Sequence, residues 1–367
     1  VDRWRLENAK KKVDEHYHDS ACQVYTDWRE VLDRDDVDAI MNSTSDQWHV
    51  PISLAAVRRG KHVSCEKPLT LSVAEGRVLA DAVRQAGVTF RTDSECRSHA
   101  HMIKLAELAR NGYLGSLRRI EVGVPAGDTA GGDPTPARVP EELNYDMWVG
   151  PAPFHPYCVD RVHPPKAYTR PGWMRCLDTC EGMITNWGTH TLDVAQLAHN
   201  TERTGPVSVE GTGHYPEPGS GLWNVLLDFR VQFAFADGVK LDYHTANHAF
   251  VRIEGDEGWV NADWTGRTGL TASDPRLLKL KFKEGDIRLP TRADKADFLH
   301  GIISGEPTMA DAEVGHRTCS LGQIAHIAIR RGRRLAWDPA AERFSDDDGA
   351  NVLLSRPYRA PWRLETL

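Results

Sequence analysis

Two short segments hold residues whose types and spacing could do chemistry. The first is Glu66-Lys67-Pro68, which ends the apolar run His62-Val63-Ser64-Cys65. Such a run reads as a buried parallel strand, and ligands bind at the carboxyl ends of strands in open α/β sheets. A lysine there can polarise a hydroxyl or carbonyl oxygen, and the proline fixes the turn that aims it. The second runs from Gly182 to Asp193, with Asn186 four residues before His190 and Asp193 three after it. If this stretch is helical, all three lie near one face. Histidine titrates near neutral pH and is the natural group for proton transfer. Dehydrogenating a secondary alcohol removes its hydroxyl proton as hydride leaves the carbon, and a lysine and a histidine converging on that oxygen would serve. Each segment also has a plainer reading. The first could be a helix-capping ion pair, and the second a histidine capped by its own helix with Asp193 in a surface pair.

The elements that must position these residues alternate. From residue 1 to about 95 the expected order is helix then strand, repeated. The helices are an opening one ending near Tyr17, then Asp27 to Leu32, Pro51 to Arg59, and Ser72 to Ala86. Gly60 stops the third, as a glycine just past a helix end does. The clearest strands are Val37 to Met41, the run before Glu66, and Val88 to Phe90. Strands alternating with helices imply a parallel, Rossmann-like sheet with right-handed crossovers. Such a sheet normally opens on a strand, a glycine-rich phosphate turn and a helix. Gly123 to Gly127 and Gly211-Thr212-Gly213 follow strand-like runs, but no helical pattern comes after either. A βαβ unit takes roughly 30 residues or more, so the first βα unit is expected to lie upstream of Val1. Asp2 would then sit near the ribose-binding acid.

Beyond residue 96 the pattern changes. A helix at Met102 to Asn111 and a strand at Leu117 to Val124 precede a loop-rich stretch, 125–180, and a helix near His190 to His199. Period-2 segments follow at Val207 to Glu210, Trp223 to Phe235, Val239 to Thr245, Phe250 to Glu254 and Trp259 to Ala262. Asp237-Gly238 and Asp256-Glu257-Gly258 make turns between them. The fold expected is therefore α/β plus α+β, a parallel sheet followed by a mostly antiparallel open-sheet domain. Residues 1–95 form part of a dinucleotide-binding domain, and 96–290 a substrate-binding and oligomerisation domain. Residues 291–367 supply closing helices, near Asp294 to Ile303 and Ala312 to Arg331, and a tail across both domains.

Bulk composition narrows the function. The 367 residues are 40% hydrophobic and 26% charged, and 45 basic against 52 acidic residues give a net charge of −7. Nothing there suggests nucleic acid or an anionic membrane as partner, and no window approaches the run of about twenty apolar residues that spans a bilayer. The seven cysteines are an odd number with one close pair, Cys176 and Cys180. They read as free thiols in a reducing compartment, with the cytoplasm as default location. His155, Cys158 and His163 lack metal-ligand spacing, so no metal is expected. The chain opens on Val1 rather than methionine, so its true amino terminus is expected to lie upstream.

Gly60-Lys61-His62-Val63 followed by Glu66-Lys67-Pro68 resembles the signature of the Gfo/Idh/MocA family of NAD(P)-dependent oxidoreductases. The Gly182 to Asp193 segment is similar to the family's second motif. Asp146 to Pro153, Asn200 to Val207 and Leu335 to Pro339 resemble a subgroup abundant in planctomycete-type bacteria. The resemblance implies that Lys67 contacts both cofactor and substrate oxygen, and that His190 is the general base. Asn186 stands where many members have aspartate; it can hydrogen-bond substrate or histidine but cannot stabilise an imidazolium by charge. A less basic His190, or a base role shared with Lys67, is therefore expected. Ser43, Thr44 and Ser45 fall at the nicotinamide-side loop, His49 and Glu66 beside the cofactor, and Glu95 near the nicotinamide. Asp193 is placed with the substrate. Trp173, Tyr168, Arg97 and Arg175 are further candidates for the pocket wall, since polyols are held by hydrogen bonds and aromatic faces.

The function so implied is hydride transfer between NAD or NADP and a secondary hydroxyl of a sugar, cyclitol or derivative. Two alternatives stand beside it, an NAD-dependent glycosidase of the same family and a non-catalytic sugar-binding homologue. The open antiparallel sheet suggests a homo-oligomer.

Overall fold

The computed structural model describes residues 1–264 and 269–367. Its first sheet is parallel and has three strands in the order β1 (Ala39–Asn42), β2 (His62–Glu66), β3 (Phe90–Asp93). Residues 18–27, where the alternating reading needs a further strand, run without strand structure among the described residues. A strand exists only through a neighbour's hydrogen bonds, and this segment pairs with none. The helix His49–Arg58 connects β1 to β2 and is buried from His49 to Val57. The helix Val73–Ala86 connects β2 to β3. It starts at a capping box, in which the Ser72 hydroxyl and the Glu75 carboxylate each accept a backbone N–H, and Gly87 ends it at φ 66°.

The second sheet is larger. Its strands are β4 (Leu117–Pro125), β5 (Ser208–His214), β6 (Asp228–Ala234), β7 (Lys240–Ala246), β8 (Phe250–Gly255), β9 (Trp259–Asp263), β10 (Leu270–Ala272), β11 (Leu335–Asp338) and β12 (Arg343–Phe344). They lie in the order β10-β9-β8-β4-β7-β6-β5-β11-β12, and among the described residues only β4 and β7 of this sheet pair in parallel. The strand expected from Trp223 begins only at Asp228. The 291–367 segment does more than close the chain with helices, because β11 pairs with β5 and extends the large sheet.

One face of this sheet is apolar, through residues such as Ile120, Val122, Val231, Phe233 and Leu241, and packs into the principal core with the helices Ala100–Arg110, Gly188–His199 and Ala312–Arg331. The opposite face is polar. There Arg119 donates to Asp242 at 2.6 Å, and His244 Nε2 lies 3.1 Å from Glu121. An oligomer built on an uncovered apolar sheet face is therefore not what these strands offer. The helix Ala312–Arg331 packs on both bodies, contributing Ala312 and Cys319 to the parallel sheet's core and Leu321 to Ala328 to the other. Among the described residues no helix is long and apolar enough to cross a membrane.

Candidate active site

The three parallel strands end at one level. Asn42 lies opposite Cys65, and Glu66 opposite Asp93. The residues that follow, Ser43-Thr44-Ser45, Lys67 and Ser94-Glu95, therefore form one rim, where ligands bind in sheets of this kind. Lys67 is half-buried and its Nζ donates to the Asn186 carbonyl at 3.1 Å. The two motifs, far apart in sequence, meet there.

The second motif is not one helix but two, Met183–Asn186 and Gly188–His199. Gly182, at φ 72°, lets the chain turn into the first. Gly188 is required for closeness, since a Cβ there would lie 2.3 Å from the Tyr243 hydroxyl, which itself donates to the Ile184 carbonyl at 2.8 Å. His190 Nδ1 lies 2.6 Å from the Ser94 carbonyl. A carbonyl can only accept, so Nδ1 carries the proton and the neutral ring leaves Nε2 as a bare lone pair. Burial pushes His190 down to about 3, and the Lys67 ammonium adds to the effect. Asn186 keeps a backbone role toward Lys67, and among the described residues its side chain makes no hydrogen bond.

Asp193 and Arg97 were expected to meet substrate. They meet each other instead. Arg97 donates to Asp193 through Nε at 2.8 Å and Nη2 at 2.6 Å, and through Nη1 to the Met309 carbonyl and Glu202. The Ser94 hydroxyl donates to Asp193 at 2.7 Å. With side chains 1% and 5% exposed, the pair is a buried brace under Ser94, hence under His190. Among the described residues no contact brings Tyr168 or Trp173 to the rim. Tyr168 is 66% exposed against Trp4 and Arg5, and Trp173 packs against the cluster around Leu143, Tyr145 and Trp148. Arg175 stacks on Trp223 at 4.4 Å.

On the cofactor side, Ser43 and Thr44 are exposed and Ser45 half-buried. The His49 ring joins two rim loops, with Nδ1 2.7 Å from the Pro68 carbonyl and Nε2 3.0 Å from that of Thr44. Buried and doubly engaged, it shapes the rim rather than reaching outward. Burial, then Asp93, raises the half-buried Glu66 carboxyl. Glu95 is exposed with φ at 59°, in the left-handed region. That conformation costs about 1–3 kcal/mol in a residue other than glycine and is found mostly where function requires it.

Sequence reasoning missed several neighbours. Trp264 lies 4.4 Å from the His190 ring, centroid to centroid, with Trp187 at 5.8 Å and His99 5.4 Å from Trp264. These rings keep water from the imidazole. They come from separate elements, and no local pattern announces them. Asp46, buried beside Cys180, His49 and Lys67, is pushed up to about 6 by its burial. Its place directly after Ser45 was the one available signal.

Residues 5–94 match the family model described as the oxidoreductase family's NAD-binding Rossmann fold, and residues 130–364 match its C-terminal alpha/beta domain. The chain is 37% identical over 90 residues to a 1,5-anhydro-D-fructose reductase of Ensifer adhaerens, covering 24% of this chain and 27% of that one. It is 40% identical over 105 residues to inositol 2-dehydrogenase 4 of Saccharopolyspora erythraea, covering 27% and 28%. The chain thus spans little more than a quarter of the length of these curated relatives. Among solved structures it resembles GenD2 from gentamicin A biosynthesis in complex with NAD, with a TM-score of 0.64 and 19% identity over 91% of this chain and 87% of that one. With both domains matched in order and both motifs converging at one rim, this chain belongs to the Gfo/Idh/MocA oxidoreductase family.

Proposed function

We propose that the protein is an NAD(P)-dependent dehydrogenase that moves a hydride between the nicotinamide and a secondary hydroxyl of a sugar, cyclitol or derivative. The observation that carries this reading is the bond from Lys67 to the Asn186 carbonyl, which holds a cation close enough to His190 to lower its basicity, while Ser94 engages Nδ1 and leaves Nε2 bare. The rim residues fit a nicotinamide and its ribose. Ser43 offers an exposed side chain, Thr44 a hydroxyl that donates to Asn42 at 2.8 Å and keeps its acceptor side, Glu95 an exposed carboxylate on constrained backbone, and Lys67 a positive charge. When bound, the nicotinamide would supply the hydride acceptor or donor.

The chain's own residues manage the proton. Lys67 draws electron density from the substrate oxygen, and His190 takes the hydroxyl proton on Nε2. Because burial and Lys67 keep the imidazole neutral, His190 is ready to accept at any working pH. It is too weak a base to hold the proton until loss of hydride acidifies the hydroxyl. Ser94 keeps Nδ1 protonated throughout, and Arg97 with Asp193 positions Ser94. The aromatic wall of Trp187 and Trp264 excludes water and offers faces on which the C–H side of a sugar ring can lie. In this reading the side chain of Asn186 hydrogen-bonds the substrate. The protein would also assemble as a homo-oligomer through the polar sheet face, which light scattering can test.

The test is cofactor binding and nicotinamide absorbance with the full-length protein on a panel of polyols and sugars. Lys67→Ala and His190→Ala should abolish turnover while leaving cofactor binding largely intact. Release of a chromogenic aglycone without accumulation of reduced cofactor would replace the dehydrogenase reading with the glycosidase one. Absence of cofactor binding would remove both.

A further inference from the structure

The second motif would be a single helix from Met183 to His199 if its hydrogen-bond ladder were whole. It stops after Asn186 and restarts at Gly188, with Trp187 between. In an unbroken helix the Ile184 carbonyl accepts the N–H of Gly188, and the Asn186 carbonyl accepts that of His190. Among the described residues neither bond is made. The His190 N–H turns instead to the Trp187 carbonyl, at 3.1 Å. Side chains from two other elements take the freed carbonyls. The Tyr243 hydroxyl donates to Ile184 at 2.8 Å, and Lys67 Nζ donates to Asn186 at 3.1 Å.

Breaks in helices have identifiable causes, and one is a side chain inserted into the ladder. No proline lies between Met183 and His199, and Tyr243 is placed to be that side chain. It points inward from β7 beside Leu241 and is fully buried, its ring 4.8 Å from that of Phe229. A buried hydroxyl needs an acceptor. Burial also holds the phenol well above its ordinary pKa, so the oxygen keeps its proton and donates at any working pH. The sequence makes room for it at Gly188. A Cβ there would lie 2.3 Å from the hydroxyl oxygen and 3.2 Å from the ring carbon that bears it.

The break matters at the rim. With the ladder whole, the Asn186 carbonyl would be engaged by His190, and Lys67 would lose its acceptor. The helix that carries His190 would also start in a different direction, away from the Ser94 carbonyl that now fixes the ring.

We propose that Tyr243 is a positioning residue of this site, an inference that rests on the dehydrogenase reading. Its hydroxyl, donated to Ile184, holds the second motif broken at Trp187, so that the Asn186 carbonyl meets Lys67 and the His190 ring meets Ser94. It touches neither substrate nor cofactor and acts only through these two carbonyls.

The experiment compares full-length wild type, Tyr243→Phe, Gly188→Ala and the double variant, each checked for folding by thermal melt. Turnover is read with NAD and with myo-inositol and D-glucose as probes. Two NMR signals are read without substrate: exchange of the Gly188 amide in glycine-labelled protein, and the ring nitrogens of His190 in histidine-labelled protein. Gly188→Ala and His190→Gln assign them. In Tyr243→Phe the Gly188 N–H should gain the Ile184 carbonyl and exchange about tenfold more slowly, and the His190 ring should lose its fixed Nδ1–H tautomer. On a probe that wild type oxidises, kcat should fall about 10- to 100-fold with the KM for NAD little changed. The double variant should regain melting temperature over Gly188→Ala without regaining kcat, whereas a role in packing alone would restore both. Unchanged turnover in Tyr243→Phe overturns the assignment. So does an unchanged Gly188 exchange rate or an unchanged His190 ring signal. The NMR signals judge Tyr243 whether or not either probe is oxidised, so a failure of the dehydrogenase reading is told apart from a failure of this one.

Discussion

His190 should be held neutral by its surroundings, and that can be measured without knowing the substrate. Its pKa is moved from 6.5 to about 3, mainly because the ring is buried. In the unfolded chain the imidazole takes a proton at its ordinary pKa, whereas in the folded chain it does so only near 3. Between those values the unfolded state binds more protons. Stability is therefore complete above the ordinary pKa and is lost as pH falls through that window. Each unit inside the window is worth about 1.4 kcal/mol. From about pH 7 to about pH 5 the unfolded imidazole goes from about one quarter protonated to almost fully protonated, so His190 alone should remove about 2 kcal/mol of stability. The assay is urea unfolding of wild type and His190→Gln at a series of pH values, reading the difference between the two proteins. Other titrating groups are common to both and cancel. The difference should fall by about 2 kcal/mol over that interval, whatever its value at neutral pH. A difference that stays flat with pH would show that His190 is not kept neutral, and the account of Nε2 as a bare, weak acceptor would fail with it.

Four further outcomes are expected. Lys67→Met should lower kcat by about 10²–10⁴, the usual contribution of a proton-handling or polarising group, with little change in cofactor affinity measured by calorimetry. Asp193→Ala leaves Arg97 buried without its main partner and should cost about 3–5 kcal/mol in chemical denaturation; since Arg97 keeps Glu202 and Met309, the lower end is expected. Gly188→Ala drives a methyl against the Tyr243 hydroxyl and should cost about 1–3 kcal/mol, with Tyr243→Phe in the same protein recovering part of the loss in melting temperature. Glu95→Gly relieves the left-handed backbone and should stabilise by about 1 kcal/mol or more while weakening nicotinamide binding; loss of stability would show that the conformation is not strained.

Much of the architecture was legible because it is written in local patterns. The run before Glu66, the helical stretch from Ser72 and the glycine after Arg59 need only near neighbours to act, and β2 and its flanking helices lie where those signals put them. The strands that failed are those whose existence depends on a partner. Residues 18–27 have strand-like composition but no ladder to join. Trp223 to Leu227 carry an extended pattern but precede the first paired residue, Asp228. Conversely β11 was missed because Leu335 to Asp338 is too short for periodicity to show, and it becomes a strand by lying against β5.

The site was half legible for a related reason. Residue type identifies what a group can do, but only packing decides what it is left to do. Lys67 and His190 stand out in sequence because a strand end and a glycine-bounded helix present them, and the structure brings their surroundings together. Arg97 and Asp193 look equally apt for a polyol from their chemistry alone. The difference is that each lies within reach of the other in a dry interior, where an ion pair with three hydrogen-bonded neighbours leaves no donor or acceptor over for a ligand. Asn186 shows the opposite case. The missing aspartate charge suggested a weakened base, yet the low basicity of His190 comes from burial and from Lys67, and Asn186 contributes through the carbonyl that every residue has. Had an aspartate stood at 186, the same carbonyl would still hold Lys67, and its carboxylate would add a negative charge beside the imidazole. Asn186→Asp should therefore raise the pKa of His190 above its present value. It should also shift the pH window of the His190-dependent stability loss upward at its acid end, a change readable in the same urea series.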